Sequence, residues 1–374
     1  MLDKILYIVN DLNFFISHRL DIALAAKKEG YEIHLACPKS EAINKDLQDI
    51  KIHSISLSRS SRNPFKEILT FLSIHKVIRD VDPDLIHLIT IKPVLYGGII
   101  ASFFKKIRVV FAIPGLGFSF IQEGLKAMIF RSFISFLYKL AFKAKKIRVI
   151  FQNKDDKFLL ESLTSLDSSK VELIKGSGVN LDEFPFSDIP KGKKIISMAS
   201  RMQKDKGIME FFEAASILNT RGCEAQFNFI GENDVSYASR LDKKIINEWK
   251  DKGDIDFLGY REDISRLFAE STVIVLPSYR EGFPKVLQEA AACGRPIVTC
   301  DVPGCREVVE DGKNGFLVEP KNSLDLANKI QQLIEDEDML KDMGIKSRQL
   351  AEKEFSIKGI VSRHLEIYSD LLRL

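Results

Sequence analysis

Two doubly wound α/β domains are expected from this 374-residue sequence, on three observations. Short β-branched runs alternate with longer amphipathic segments along the whole chain. The strand candidates are nearly continuous in apolar residues, as strands buried on both faces of a parallel sheet are. The alternation runs twice, and Phe184-Pro-Phe-Ser-Asp-Ile-Pro-Lys-Gly-Lys-Lys194 separates the two series. That stretch carries two prolines, a glycine and three lysines, a linker composition. The length suits about two domains of ordinary size.

In the first series the apolar runs Lys4–Val9, Glu32–Ala36, Leu85–Ile89, Arg108–Ile113, Arg148–Gln152 and Val171–Lys175 read as strands. Amphipathic stretches Ser17–Glu29, Pro64–Arg79 and Leu125–Lys143 read as the helices between them. In the second series the strands are Lys194–Met198, Gln226–Ile230, Asp256–Leu258, Val273–Leu276, Pro296–Thr299 and Gly315–Val318. The helices are Gly207–Asn219, Ala238–Lys252, Pro284–Ala292 and Ser323–Glu335, with a last helical pattern over Lys358–Leu372. The expected domains are therefore 1–187 and 188–357, with the helix at about 358–374 free to pack back on the first. In open α/β sheets ligands bind beyond the carboxyl ends of the strands, so the functional residues are sought there.

Charge narrows the function classes. The net charge is only +3, but residues 1–150 hold 23 basic and 13 acidic residues. Ten of those cations fall in 101–150 against one acid, Glu123. An anionic partner for the first half follows: nucleic acid, a membrane surface or an anionic ligand. No stretch is long and apolar enough to span a bilayer, and no signal peptide is evident, so a cytoplasmic protein is expected. Five cysteines without a CxxC pair, and six histidines without zinc-like spacing, imply structural thiols and no metal site. Asp82-Pro-Asp84 precedes a strand and reads as a turn. His87 sits in an apolar run, as a core histidine would. Gly115-Leu-Gly117 and Gly176-Ser-Gly178 lack a full dinucleotide fingerprint.

The strongest chemical signal is Ser278-Tyr-Arg-Glu281-Gly-Phe-Pro-Lys-Val-Leu-Gln-Glu289-Ala-Ala. It follows the buried run Val273–Leu276 and opens a helix, with Pro284 suited to the first turn. Amides around Gly282–Val286 would meet a phosphate or sugar hydroxyl at the helix start. Glu281 stands ahead of that start and Glu289 two turns below it. Carboxylates accept from the vicinal hydroxyls of ribose and hexose. A second element, Met198-Ala-Ser-Arg201-Met-Gln-Lys-Asp-Lys206-Gly207, lies at another strand end, where two cations can converge on a diphosphate. Ile230-Gly-Glu232 and Phe257-Leu-Gly end strands in glycine, so backbone can approach a planar base there.

Glu-x7-Glu at Glu281 and Glu289, Ser-Arg-x4-Lys-Gly at Arg201–Gly207, Phe257-Leu-Gly and Asn314-Gly-Phe-Leu-Val together resemble the family 4 retaining glycosyltransferases. The resemblance extends to Asp84-Leu-Ile-His-Leu-Ile-Thr-Ile-Lys92-Pro, Phe151-Gln-Asn and Gly176-Ser-Gly-Val. It implies a GT-B fold: two Rossmann-like domains facing each other across a cleft, with a nucleotide-sugar donor on the second. It further implies that Arg201 and Lys206 bind the donor diphosphate and that Glu289 holds the ribose. Glu281 contacts the transferred sugar as the catalytic residue. Gly282, Phe283, Pro284 and Lys285 complete the donor site, with no metal or other cofactor required.

The first loop, Asn10 to Arg19, lacks a glycine-rich run, and the turn Ala112 to Phe118 lacks a histidine. With Ser17-His18-Arg19 and Lys92-Pro-Val-Leu-Tyr-Gly, the chain is similar to the bacterial subgroup that extends undecaprenyl-diphosphate-linked glycans. That implies a UDP-sugar donor, GalNAc first, and surface polysaccharide, O-antigen or capsule as the product. His18, Arg19 and Lys92 are then the acceptor-side candidates. Residues 101–148, alternating bulky apolar residues with cations, would lie on the anionic inner membrane, attaching the protein peripherally. Nucleic acid drops out of that reading. A non-catalytic two-lobed binder of a nucleotide or sugar is the alternative.

Overall fold

The computed structural model describes residues 2–39, 47–58, 63–117, 124–232 and 241–373. The chain divides into two compact units, Met1–Ser177 with Lys358–Leu374, and Gly178–Ile357.

The first unit runs β1 (Lys4–Ile8), α1 (Leu12–Lys28), β2 (Glu32–Pro38), β3 (Lys51–Ile55), α2 (Pro64–Val81), β4 (Leu85–Ile89) and α3 (Ile91–Ala101). It continues with β5 (Arg108–Ile113), α4 (Leu125–Ala141), β6 (Lys146–Phe151), α5 (Lys154–Thr164) and β7 (Val171–Leu173). The strands form one parallel sheet in the order β3-β2-β1-β4-β5-β6-β7. Every residue of β4 is buried, which explains why it is apolar at every position but His87. Helix starts are set by side chains. Asp11 accepts from the amides of Asn13 and Phe14, and Asn153 from that of Asp156.

The second unit runs β8 (Lys194–Ala199), α6 (Ile208–Thr220), β9 (Ala225–Ile230), α7 (Lys243–Lys252), β10 (Asp256–Gly259) and α8 (Ile264–Glu270). Then come β11 (Val273–Leu276), α9 (Lys285–Ala292), β12 (Ile297–Cys300), β13 (Gly315–Val318), α10 (Ser323–Ile334) and α11 (Glu337–Leu350). Its sheet is also parallel, ordered β10-β9-β8-β11-β12-β13. Strands β11 and β12 are wholly buried. The expected helix from Ala238 begins outside the described residues, which resume at Leu241. The linker Phe184–Lys194 lies inside this unit. The unit opens upstream of it, where the Val179 amide donates to the Phe355 carbonyl at 2.8 Å and the Val179 carbonyl accepts from Ile357 at 3.0 Å.

The last helix, α12 (Ile357–Arg373), packs on the first sheet. Tyr368 Oη lies 2.6 Å from His87 Nδ1 and 3.1 Å from Tyr7 Oη. His364 is buried beside them, its ring stacked on that of His87. Burial holds the His364 imidazole far below its usual range, to about 3, and lowers His87 as well. His87 is thus a core histidine tying β4 to α12. Asp82 caps α2 in a left-handed turn, and the Asp84 carboxylate accepts from the Lys4 amide at 2.8 Å, so the acidic pair is structural. The five cysteines are free thiols, four of them buried.

Candidate active site

The order of each sheet reverses once, between β1 and β4 and between β8 and β11. Loops leaving the carboxyl ends of such a pair diverge to opposite faces and leave room for a ligand. The two motifs singled out in the second half leave β8 and β11. They meet. Lys206 Nζ lies 2.5 Å from Glu281 Oε1, with the side chains only 15% and 14% exposed. Ser278, fully buried, donates to the same oxygen at 2.8 Å. A carboxylate carrying two donors on one oxygen is fixed in place, and it fixes the lysine in turn.

Backbone brings the loops this close. Lys204–Lys206 forms a single 3-10 turn, and Gly207 follows in the left-handed region at φ +71° before α6 begins. A Cβ on Gly207 would stand 2.0 Å from the Pro277 carbonyl oxygen at the end of β11. The Tyr279 amide donates to the Asp205 carbonyl at 2.9 Å, and its hydroxyl donates to Glu210 Oε1 at 2.6 Å. Tyr279 therefore stitches the β11 loop to both the lysine turn and α6. The β12 loop closes the other side, with the Glu281 amide donating to the Pro303 carbonyl at 3.1 Å. Gly304 lies against it, where a Cβ would meet the Glu281 carbonyl oxygen at 2.5 Å.

Helix α9 starts at Lys285, with Pro284 as its cap residue rather than within its first turn. Glu289 consequently lies one turn into the helix, not two, and its carboxylate is 3.7 Å from Lys285 Nζ. Burial pushes the Glu289 carboxyl up to about 7, against the opposing pull of Lys285. The Phe283 ring is buried against Phe355, so only its backbone remains for a ligand. Arg201 is exposed at the end of β8, beside Met202, whose amide donates to the Glu232 carbonyl. Gly231 sits close under Ser200, where a Cβ would stand 1.9 Å from its carbonyl oxygen. The unit thus presents cations, carboxylates and a helix start around one set of strand ends. That is a constellation for holding a phosphorylated, polyhydroxylated ligand. Among the described residues no group of three or more His, Cys, Asp or Glu could hold a metal ion.

Known proteins decide the family. The profile of Glycosyl transferases group 1 matches residues 180–350, and that of Glycosyl transferase 4-like matches residues 4–153. A Campylobacter jejuni N,N'-diacetylbacillosaminyl-diphospho-undecaprenol alpha-1,3-N-acetylgalactosaminyltransferase is 32% identical over 96% of this chain and 98% of its own length. The chain belongs to the glycosyltransferases of this family.

An Escherichia coli UDP-Gal:alpha-D-GlcNAc-diphosphoundecaprenol alpha-1,3-galactosyltransferase is 24% identical over 92% of this chain and 90% of that protein. Among solved structures, sucrose-phosphate synthase from Thermosynechococcus elongatus superposes with a TM-score of 0.82 at 19% identity, covering 99% of both chains. Anabaena HepE in complex with UDP gives 0.79 at 21% identity, covering 99% of this chain and 100% of that one. These likenesses establish the GT-B fold of the glycosyltransferase.

The first-half candidates are placed differently from one another. In this glycosyltransferase His18 is part-exposed near the start of α1, stacked on Phe14 at 4.2 Å and 2.7 Å from Ser17 Oγ. Arg19 is 1% exposed and corrects its expectation: it belongs to the core beneath α12, donating to the His18 carbonyl at 2.8 Å. On α1 adjacent residues point about 100° apart, so His18 and Arg19 cannot share a face. Lys92, in the first turn of α3 after β4, is 2.7 Å from Glu67 and donates to the Ser58 carbonyl at 2.8 Å. Sequence reasoning quoted Ser278 and Tyr279 inside the motif but gave them no role. It also passed over Glu210, whose place within a helix gives no sign of the Tyr279 hydroxyl it binds.

Proposed function

We propose that this glycosyltransferase moves a hexose or N-acetylhexosamine, GalNAc first, from a UDP-sugar to a sugar carried on undecaprenyl diphosphate. The anomeric configuration is retained and no metal takes part. The reading rests on one observation above others: the Lys206–Glu281 pair at the strand ends, in a chain similar end to end to a transferase for such an acceptor. Lys206 and Arg201 would draw off the negative charge that grows on the departing UDP, and the start of α9 would add its dipole. Glu281 would hold Lys206 in that position and touch the transferred sugar. Glu289 would accept from the ribose hydroxyls. His18 and Lys92 remain acceptor-side candidates, one after β1 and the other after β4.

Glu289 gives this reading a pH signature. Its carboxyl is held near 7, so below that pH it is mostly protonated and accepts less well from two hydroxyls. Affinity for UDP-GalNAc, followed by titration calorimetry, should rise about tenfold from pH 6 to pH 8. Glu289→Gln should flatten that rise. The raised carboxyl also favours the folded state in acid. Its contribution is full below about pH 4.5 and is lost as pH rises through 7.

Membrane attachment is part of the proposal. No described helix is long and apolar enough to cross a membrane. Helix α4 exposes Leu125, Met128, Ile129, Phe130, Phe133 and Phe136 beside Lys126 and Lys139. Helix α2 exposes Phe65, Ile68, Leu69 and Leu72, and both helices pack on α3. Large exposed apolar faces edged by cations suit an anionic bilayer, each nearby cation adding about 1 kcal/mol. In flotation with phosphatidylglycerol liposomes the protein should rise with the lipid. F133E/F136E should stay behind yet bind UDP normally. Equal flotation of both proteins would remove the membrane part.

A further inference from the structure

The second unit holds a cavity of about 510 Å³ at the other end of its sheet from the donor residues. It is lined by the segment before β8, by the turn after α9 and by α11. Lys194 opens β8 at this end, whereas Arg201 follows the far end of the same strand. Six strand residues span about 20 Å, so the two places are separate.

The cavity is built into the fold. Buried Arg295 donates to the carbonyl and hydroxyl oxygens of Ser187 and to the Asp188 carbonyl, pinning one wall. Arg348 donates to the Phe184 carbonyl at 3.0 Å just upstream. Gly294, at φ +72°, lets the Phe186 ring close in, since a Cβ there would stand 2.5 Å from it. Gly344 of α11 approaches Gly294 as closely, with 2.5 Å from a built Cβ to its carbonyl oxygen. Phe186, Ile189, Leu340 and Ile345 make the lining mainly apolar.

Its charges are unequal. Glu337 is 3.3 Å from Lys194, and Asp188 is exposed, so the lining carries three lysines, Lys191, Lys194 and Lys341, against two acids. Lys191 and Lys341 also line the cavity, and neither has a carboxylate partner among the described residues. An apolar chamber of this size with one surplus cation, and with Lys191 and Lys341 outside its ion pair, matches a ligand with an apolar body and an anionic head.

We propose that this cavity binds a single-chain amphiphile with a carboxylate or phosphate head, the chain against Phe186, Ile189 and Leu340 and the head at Lys191 and Lys341. The site is independent of the donor site and of the reaction proposed for it. The test is calorimetric titration of the full-length protein with decanoate below its micellar concentration, alongside decanol and decyltrimethylammonium. Decanoate should saturate one site, with decanol at least tenfold weaker and the cation not bound. K191E/K341E should weaken decanoate at least tenfold, and Ile345→Trp, which fills the chamber, should compete with it. The thermal melt of K191E/K341E should match the wild type, since neither lysine is in an ion pair among the described residues. No saturable decanoate binding, equal binding of decanol, or an unaffected double variant would overturn the proposal.

Discussion

Lys206→Ala should lower kcat/KM for sugar transfer by two to three orders of magnitude, a loss of about 3–4 kcal/mol of transition-state stabilisation. The ammonium is a compact charge held 2.5 Å from Glu281, in a place water reaches poorly. Charge on a departing nucleoside diphosphate grows in the transition state, so a fixed cation there acts on kcat more than on ground-state binding. Glu281→Ala should cost a comparable factor, because it releases Lys206 and removes the contact to sugar proposed for it. Both changes break one ion pair, so their effects should not add. Ser278→Ala separates positioning from contact. It deletes only the second donor to Glu281 and should reduce rate less than either. Steady-state kinetics with melting curves on the same samples check this. Wild-type turnover in both Lys206→Ala and Glu281→Ala would contradict it.

Gly207→Ala should cost about 2–4 kcal/mol of stability and most of the donor affinity. Two terms combine. At φ +71° an L residue is strained, and the new Cβ meets the Pro277 carbonyl oxygen at 2.0 Å. That oxygen belongs to backbone at the end of β11, so the 3-10 turn carrying Lys206 must move away from Glu281. Gly222→Ala is the control. Its φ is +77°, yet nothing lies within 4 Å of its Cβ, so it carries only the backbone term of about 1 kcal/mol. Denaturant unfolding and UDP titration on the two variants should therefore diverge. Equal losses in both would show that the close approach of the loops does not matter.

Nearly continuous apolar runs, such as β4, β11 and β12, were legible in the sequence because burial on both faces favours that composition. The edge strand β3 was not: its KIHSI is mostly solvent-facing, and its register is supplied by β2. Helix α3 was hidden by Pro93, Gly97 and Gly98. The glycines are there for contact: a Cβ on Gly97 would meet the Leu88 side chain at 2.4 Å, and one on Gly98 the Phe111 ring at 2.6 Å. Helix α11 is charged enough to pass for surface loop, though Asp336 caps it by accepting from the Met339 amide.

The meeting of Lys206 and Glu281 was legible because both motifs follow strands whose ends the fold places side by side. The burial of Arg19 was not legible: Tyr368 of α12, whose hydroxyl it lies near, is more than three hundred residues away in sequence, and nothing local signals it. The linker composition at Phe184–Lys194 marked a change of domain but not the point of division. That point is fixed by Val179 pairing with the returning chain at Phe355 and Ile357.

The most direct test of the central claim is a transfer reaction with purified protein, followed by NMR. UDP-GalNAc, UDP-GlcNAc and UDP-galactose are each supplied with an N-acetylhexosamine on a polyprenyl diphosphate. One donor should yield UDP and a new α-linked disaccharide in equal amounts, and Glu281→Ala should yield neither. Wild-type protein that binds UDP yet releases none from any of the three donors, and forms no disaccharide, would contradict the account.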